Sequence, residues 1–154
     1  FVPGYPPSPR VRGQPMADEV VVTASLRIAK GNLLYISQPT AFRADMDGEK
    51  GPTPGQITAL TTGTTIVLSQ LDTPGMARIM NLDDTNFVTI GVYDGSDFYP
   101  VLEMLPGETF PIRLSRYVNQ EFDQTGTGTS ADINRLMAIA DTAACEILVE
   151  AFSA

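Results

Sequence analysis

Between Ile57 and Leu114 the chain is cut into apolar runs of four to eight residues, each closed by a turn signal. The runs are ITAL (57–60), TTIVLSQL (64–71), ARIMNL (77–82), FVTIGVY (87–93), FYPVLEM (98–104) and TFPIRL (109–114). Between them stand TPG at 73–75, DDTN at 83–86, DGSD at 94–97 and PGE at 106–108. Runs this short, punctuated by Gly, Pro, Asn and Asp, are of strand length and leave no room for a helix of ordinary size. A spacing of about ten residues per strand, with no internal repeat of fixed period, predicts an all-β, antiparallel β-sandwich or barrel.

The flanking segments extend the same reading. Val20, Val22, Ala24, Leu26 and Ile28 alternate with Val21, Thr23, Ser25 and Arg27, the period of a half-buried strand. NLLYIS after Gly31 reads as a second strand, which PTAFRA continues beyond Pro39. DMDGEKGPTPGQ (45–56) is a loop by composition, and so is QTGTGTS (124–130). The stretch SADINRLMAIADTAACEILVEAF offers Ser130 as a helix N-cap, but NRLMAIA and CEILVEAF also fit strands. With Ile147, Val149 and Ala151 on one face, 133–140 and 145–152 are assigned as two closing strands, about nine or ten in all.

Residues 1–15, FVPGYPPSPRVRGQP, contain five prolines and carry two positive charges, Arg10 and Arg12. Proline fixes φ and removes amide donors, so an extended arm is expected here. A single sandwich domain is expected over 16–154. At 154 residues the chain can bury roughly two-thirds of its unfolded surface without metals or disulfides.

Charge and residue usage narrow the function. The net charge is −8 and there is no histidine. That removes histidine-based triads and histidine-bound zinc, and it opposes nucleic-acid binding, which depends on Lys and Arg neutralising phosphates. No run approaches the ~18 apolar residues of a membrane helix.

Candidate chemistry is sparse. Gly126-Thr127-Gly128-Thr129-Ser130-Ala131 matches G-x-G-x-x-A, but it follows the polar YVNQEFDQ and not a buried strand, so no dinucleotide cofactor is expected. Asp45-Met46-Asp47-Gly48-Glu49 has the opening of a calcium loop, yet position twelve is Gln56 and not glutamate, so a solvated turn is expected and no metal. Asp83, Asp84, Asp94 and Asp97 lie in turns at opposite ends of a strand and are explained by Asx hydrogen bonding. Cys145, Met76, Met80, Met104 and Met137 read as core fillers. Tyr93, Phe98 and Tyr99 cluster in sequence, with Phe98 expected in the core and Tyr99 at a rim.

Residues 77–114, ARIMNLDDTNFVTIGVYDGSDFYPVLEMLPGETFPIRL, resemble small virion proteins of tailed bacteriophages. The resemblance rests on the NLD-x-TN turn, the V-x-IG strand, the F-x-P strand and the LPGE turn at 105–108. AACEILVEAF is similar to the terminal strand of these proteins. The family includes jelly-roll capsid decoration (cement) proteins, which implies a jelly-roll-like sandwich and a structural, non-enzymatic role without catalytic residues or cofactors. It further implies a place on the outer surface of the capsid, with the major capsid protein and further copies of itself, as a homotrimer, for partners. Phe1, Val2, Tyr5, Arg10 and Arg12 are the expected capsid contacts. A tail or adaptor-region virion sandwich, or a carbohydrate-binding module, is the alternative.

Overall fold

The computed structural model describes residues 19–116, 118 and 135–153. The expected arm over 1–15 and the loop over 124–130 lie outside the described residues. Within them the secondary structure is antiparallel β throughout. The chain forms two compact units that divide between Asp45 and Met46, and the strands of both four-stranded sheets all lie in the second.

The first unit holds β1 (Val20–Ala24), β2 (Arg27–Lys30), β3 (Leu33–Ile36) and β4 (Thr40–Ala44). β2 and β3 pair around the two-residue loop Gly31-Asn32, with Gly31 at φ 56°, a conformation that suits glycine. β1 pairs with β4. Between the two ladders Leu26 N–H donates to Ser37 Oγ (2.7 Å) and Ser37 N–H donates to the Leu26 carbonyl (2.8 Å). These bonds carry one long hairpin across a break that the expected continuous strand over 20–28 does not have. No residue from 20 to 44 is buried, and Leu26 and Ile28 are exposed where a half-buried face was expected. The physical reason is that each of these sheets has only two strands, so alternation has no opposing layer to face.

The second unit contains β5 (Thr53–Ala59), β6 (Thr64–Thr65), β7 (Pro74–Asn81), β8 (Val88–Tyr93), β9 (Phe98–Met104), β10 (Thr109–Arg113), β11 (Arg135–Ala140) and β12 (Cys145–Ser153). One sheet has the order β10-β7-β12-β5 and the other β6-β11-β8-β9. The pairs are nested: β8 with β9, β7 with β10, β6 with β11, β5 with β12, taken alternately from the two sheets. An eight-strand hairpin wound in this way is a jelly roll.

Period-two burial builds the core between the sheets. In β12 Cys145, Ile147, Val149, Ala151 and Ser153 point inward, while Glu146, Leu148, Glu150 and Phe152 do not. Ile79, Val88, Ile90, Met104 and Ala138 complete the same cluster from neighbouring strands. Each fully buried Ile or Val contributes about 1.5–3 kcal/mol relative to exposure. The loop expected through Gln56 ends earlier, because β5 starts at Thr53. The run 64–71 is strand only at its first two residues. Ile66 and Leu68 are nonetheless buried, and Ile66 N–H reaches the Leu136 carbonyl (2.8 Å), so the segment packs without a full ladder.

Candidate interaction surface

Several carboxylates of the sandwich are engaged in turns and cross-strand bonds. Asp83 accepts hydrogen bonds from the backbone N–H groups of Asn86 (2.6 Å) and Thr85 (2.8 Å), which hold its carboxyl below the ordinary range. Asp94 accepts from Asp97 N–H and Ser96 N–H (both 2.8 Å), with the same effect. These turns sit at the two ends of β8, as the sequence predicts. Glu146 accepts from Thr58 Oγ1 and Gln56 Nε2, lowering its pKa, and Arg78 Nε meets Glu150 at 2.7 Å. Among the described residues no three carboxylate or thiol groups come together as a cation site, Asp45, Asp47 and Glu49 included.

The centre of this end of the sandwich is Asn81, which is fully buried. Its Nδ2 donates to the carbonyls of Asn86 (2.9 Å) and Met104 (3.1 Å), and its Oδ1 accepts from Asp83 N–H (2.9 Å). Its backbone bonds Glu108 and Gly107. One side chain thus ties the β7–β8 turn to the end of β9, and its main chain ties in the β9–β10 turn. In that second turn Gly107 has φ 76° and Glu108 N–H returns to the Leu105 carbonyl (3.1 Å), as the Pro106-Gly107 pair predicts.

The three clustered aromatics do not converge. Register pairs Tyr93 with Phe98 and Val92 with Tyr99, and directly paired residues share a face, so Tyr99 is on the opposite face from the other two. Phe98 is half-buried, with its ring tip over Gly91, and is not the core residue expected. The reason is a bulge at Val101, which shifts β9 by one residue against β8. Tyr99 is exposed as expected; the negative charge of Asp94, whose Oδ2 accepts the Tyr99 hydroxyl (3.2 Å), raises the phenol pKa. Cys145 is buried with its thiol pKa raised by desolvation, as a core filler should be. Met104 and Met76 are buried, and Met80 and Met137 half-buried. The expected capsid contacts Phe1, Val2, Tyr5, Arg10 and Arg12, and the glycine-rich 126–131, lie outside the described residues.

Surface features distinguish the two units. Among the described residues, the four edge strands of the sandwich are blunted: β5 carries Pro54, β9 carries Pro100 and the bulge, β10 carries Pro111, and β6 has two residues. Proline removes a ladder donor, so these edges resist pairing with another strand. The hairpin differs. Val21, Leu26, Ile28, Leu33, Leu34, Tyr35, Ile36 and Phe42 are all exposed. Ile28 pairs with Tyr35 on one face and Ala29 with Leu34 on the other, so both faces are apolar. The four consecutive apolar residues of LLYI signal this in the sequence, because a strand with one face in water would alternate.

The chain matches no protein-family model, no characterised protein and no solved structure.

Proposed function

We propose that the chain is a structural protein of a tailed-phage virion. In this reading it is a decoration protein that binds the outer surface of the head, bridges junctions between major capsid protein subunits and stabilises the shell. The observation that carries the proposal is the coincidence of resemblance and rigidity. Residues 77–114, which bear the phage-like pattern, form β7 to β10 of a jelly roll, and their turns are locked by Asn81, Asp83, Asp94 and Glu108. Short turns saturated with internal hydrogen bonds make a stiff clamp.

The mechanism is linkage. A protein that binds only the assembled lattice stabilises it, by about 2.7 kcal/mol per site at a free concentration 100 times Kd. Repeated over many sites, modest affinity is sufficient. The acidic body favours an outward position, since packaged DNA repels it. Exposed carboxylates that serve turns, with aromatics on opposite faces of β9, give less support to a glycan-binding module.

The test is to add purified protein to undecorated expanded heads, then measure copies bound per shell and resistance of the shell to heat or denaturant. Saturable binding at a fixed copy number, with a rise in disruption temperature, is expected. Heads that neither bind the protein nor gain resistance refute the reading.

A further inference from the structure

We propose that the end of the sandwich formed by its four short turns is a docking surface for a protein partner that presents Lys or Arg among apolar side chains. The turns are 60–63, 82–87, 105–108 and 141–144, and the nested antiparallel pairing brings all four to one end. Hydrogen bonds join each to the next. Ala140 N–H donates to the Leu60 carbonyl (3.0 Å), Thr142 Oγ1 to Asn86 Oδ1 (2.8 Å), and Gly107 N–H to the Asn81 carbonyl (3.1 Å). A surface fixed in this way loses little freedom when a partner covers it. On it stand Leu60, Leu82 and Leu105, each between 40% and 48% accessible.

Charge identifies the occupant. The four turns carry Asp83, Asp84, Glu108 and Asp141 and no Lys or Arg. The bases of 46–154 all lie elsewhere. Arg78 is midway along β7 and pairs with Glu150, while Lys50 precedes β5 and pairs with Asp72. Arg113 closes β10, Arg116 follows it and Arg135 opens β11, all at the opposite end. A basic partner is therefore attracted to the four-turn end and an acidic one repelled. The backbone there is already bonded within the sandwich, so recognition falls to side chains: the leucines receive apolar groups, and the acids receive the cations around them. With strands about 4.8 Å and sheets about 10 Å apart, this end spans roughly 20 by 20 Å, or about 400 Å². A standard interface takes about 800 Å² from each partner. One contact is thus weak, and contacts repeated over a lattice add up.

The inference rests on the decoration reading above and assigns the shell-facing end of the sandwich, a contact separate from the N-terminal one that the resemblance implies. Undecorated expanded heads are titrated with the full chain and the bound copies counted. Leu82→Ser with Leu105→Ser, and separately Asp84→Lys with Asp141→Lys, should each weaken binding about tenfold or more. Glu49→Lys with Asp97→Lys makes the same change in net charge at the opposite end and should stay within about twofold of wild type. Far-UV circular dichroism gives the melting temperature of every variant, and binding is compared below it. Wild type that binds while either four-turn variant binds equally well overturns this inference and leaves the decoration reading standing. A charge-matched control that loses as much also overturns it, because bulk charge then accounts for the effect. Wild type that does not bind heads removes both.

Discussion

Replacing Asn81 by alanine is the sharpest test of how the sandwich is held. The side chain makes three hydrogen bonds, donating to the carbonyls of Asn86 and Met104 and accepting from Asp83 N–H. Alanine leaves all three backbone groups without that partner. An orphaned buried group costs about 1–3 kcal/mol. The Met104 bond is buried and belongs at the upper end, while the bonds to Asn86 and Asp83 are partly buried and belong at the lower end. The expected loss is therefore about 3–5 kcal/mol, a large fraction of the 5–15 kcal/mol typical of a domain. With a urea m-value of about 1–3 kcal/mol/M, the midpoint should fall by roughly 2 M. The chain has no tryptophan, so far-UV circular dichroism or tyrosine emission follows the transition. Asn81→Asp retains an acceptor, loses both donors and adds a charge near Asp83, so it should be at least as damaging at pH 7. Thr85→Ala, at the exposed tip of the same turn, should cost under about 1 kcal/mol. An Asn81→Ala protein that loses less than about 1 kcal/mol refutes the claim that this residue joins the turns.

Other perturbations test other parts of the fold. At Gly91 an added Cβ would overlap the Tyr99 carbonyl oxygen, which is backbone and cannot swing away; Gly91→Ala should destabilise by about 1–3 kcal/mol or more in thermal unfolding, and a neutral result would contradict the bulge. Ser153 Oγ is buried without a hydrogen-bond partner among the described residues, so Ser153→Ala should be neutral or raise stability by up to about 1 kcal/mol, measured by urea midpoint. Asp83, Asp94 and Glu146 have lowered native pKa values, so the unfolded chain takes up protons first as pH falls. Their stabilisation is present above the unfolded value of about 4 and is lost as pH drops through the native values. Without histidine a flat plateau is expected from about pH 6 to 8; a midpoint unchanged down to about pH 3 would contradict the role given to these carboxylates.

Most of the sandwich was legible in the sequence because its faces are unequal. β9 occupies the expected residues 98–104, β11 falls within the expected 133–140, and β12 forms where Ile147, Val149 and Ala151 alternate with Glu146, Leu148 and Glu150. In that region a helix signal at Ser130 competes with a strand signal, and burial against a second sheet favours the strands. Turn chemistry was readable where it is local, at Asp83 and Pro106-Gly107, but not in the reach of Asn81 across to Met104 and Glu108. Long-range arrangement was not. The run 64–71 alternates like a strand, but only its first two residues join the ladder as a strand while Ile66 and Leu68 still reach the core. Phe98 was misplaced because an added residue at Val101 moves it relative to β8, and no local pattern announces a bulge. The hairpin was misread for a related reason. Periodicity reports which side chains want cover, not whether the same molecule supplies it.

The nested winding has a consequence for the order in which this protein can form. β8 and β9 meet across a short loop, but Ala59 waits for Cys145 and Thr53 for Ala151. Contacts so distant along the chain carry the full entropy of loop closure before any reward, which makes folding slow. β12 lies between β5 and β7 and bonds to both, so the first sheet has a gap at its centre until that strand is synthesised. During translation the inner residues of β5 and β7 must remain wet, and the prolines along the outer strands then protect a nascent chain that has not yet closed.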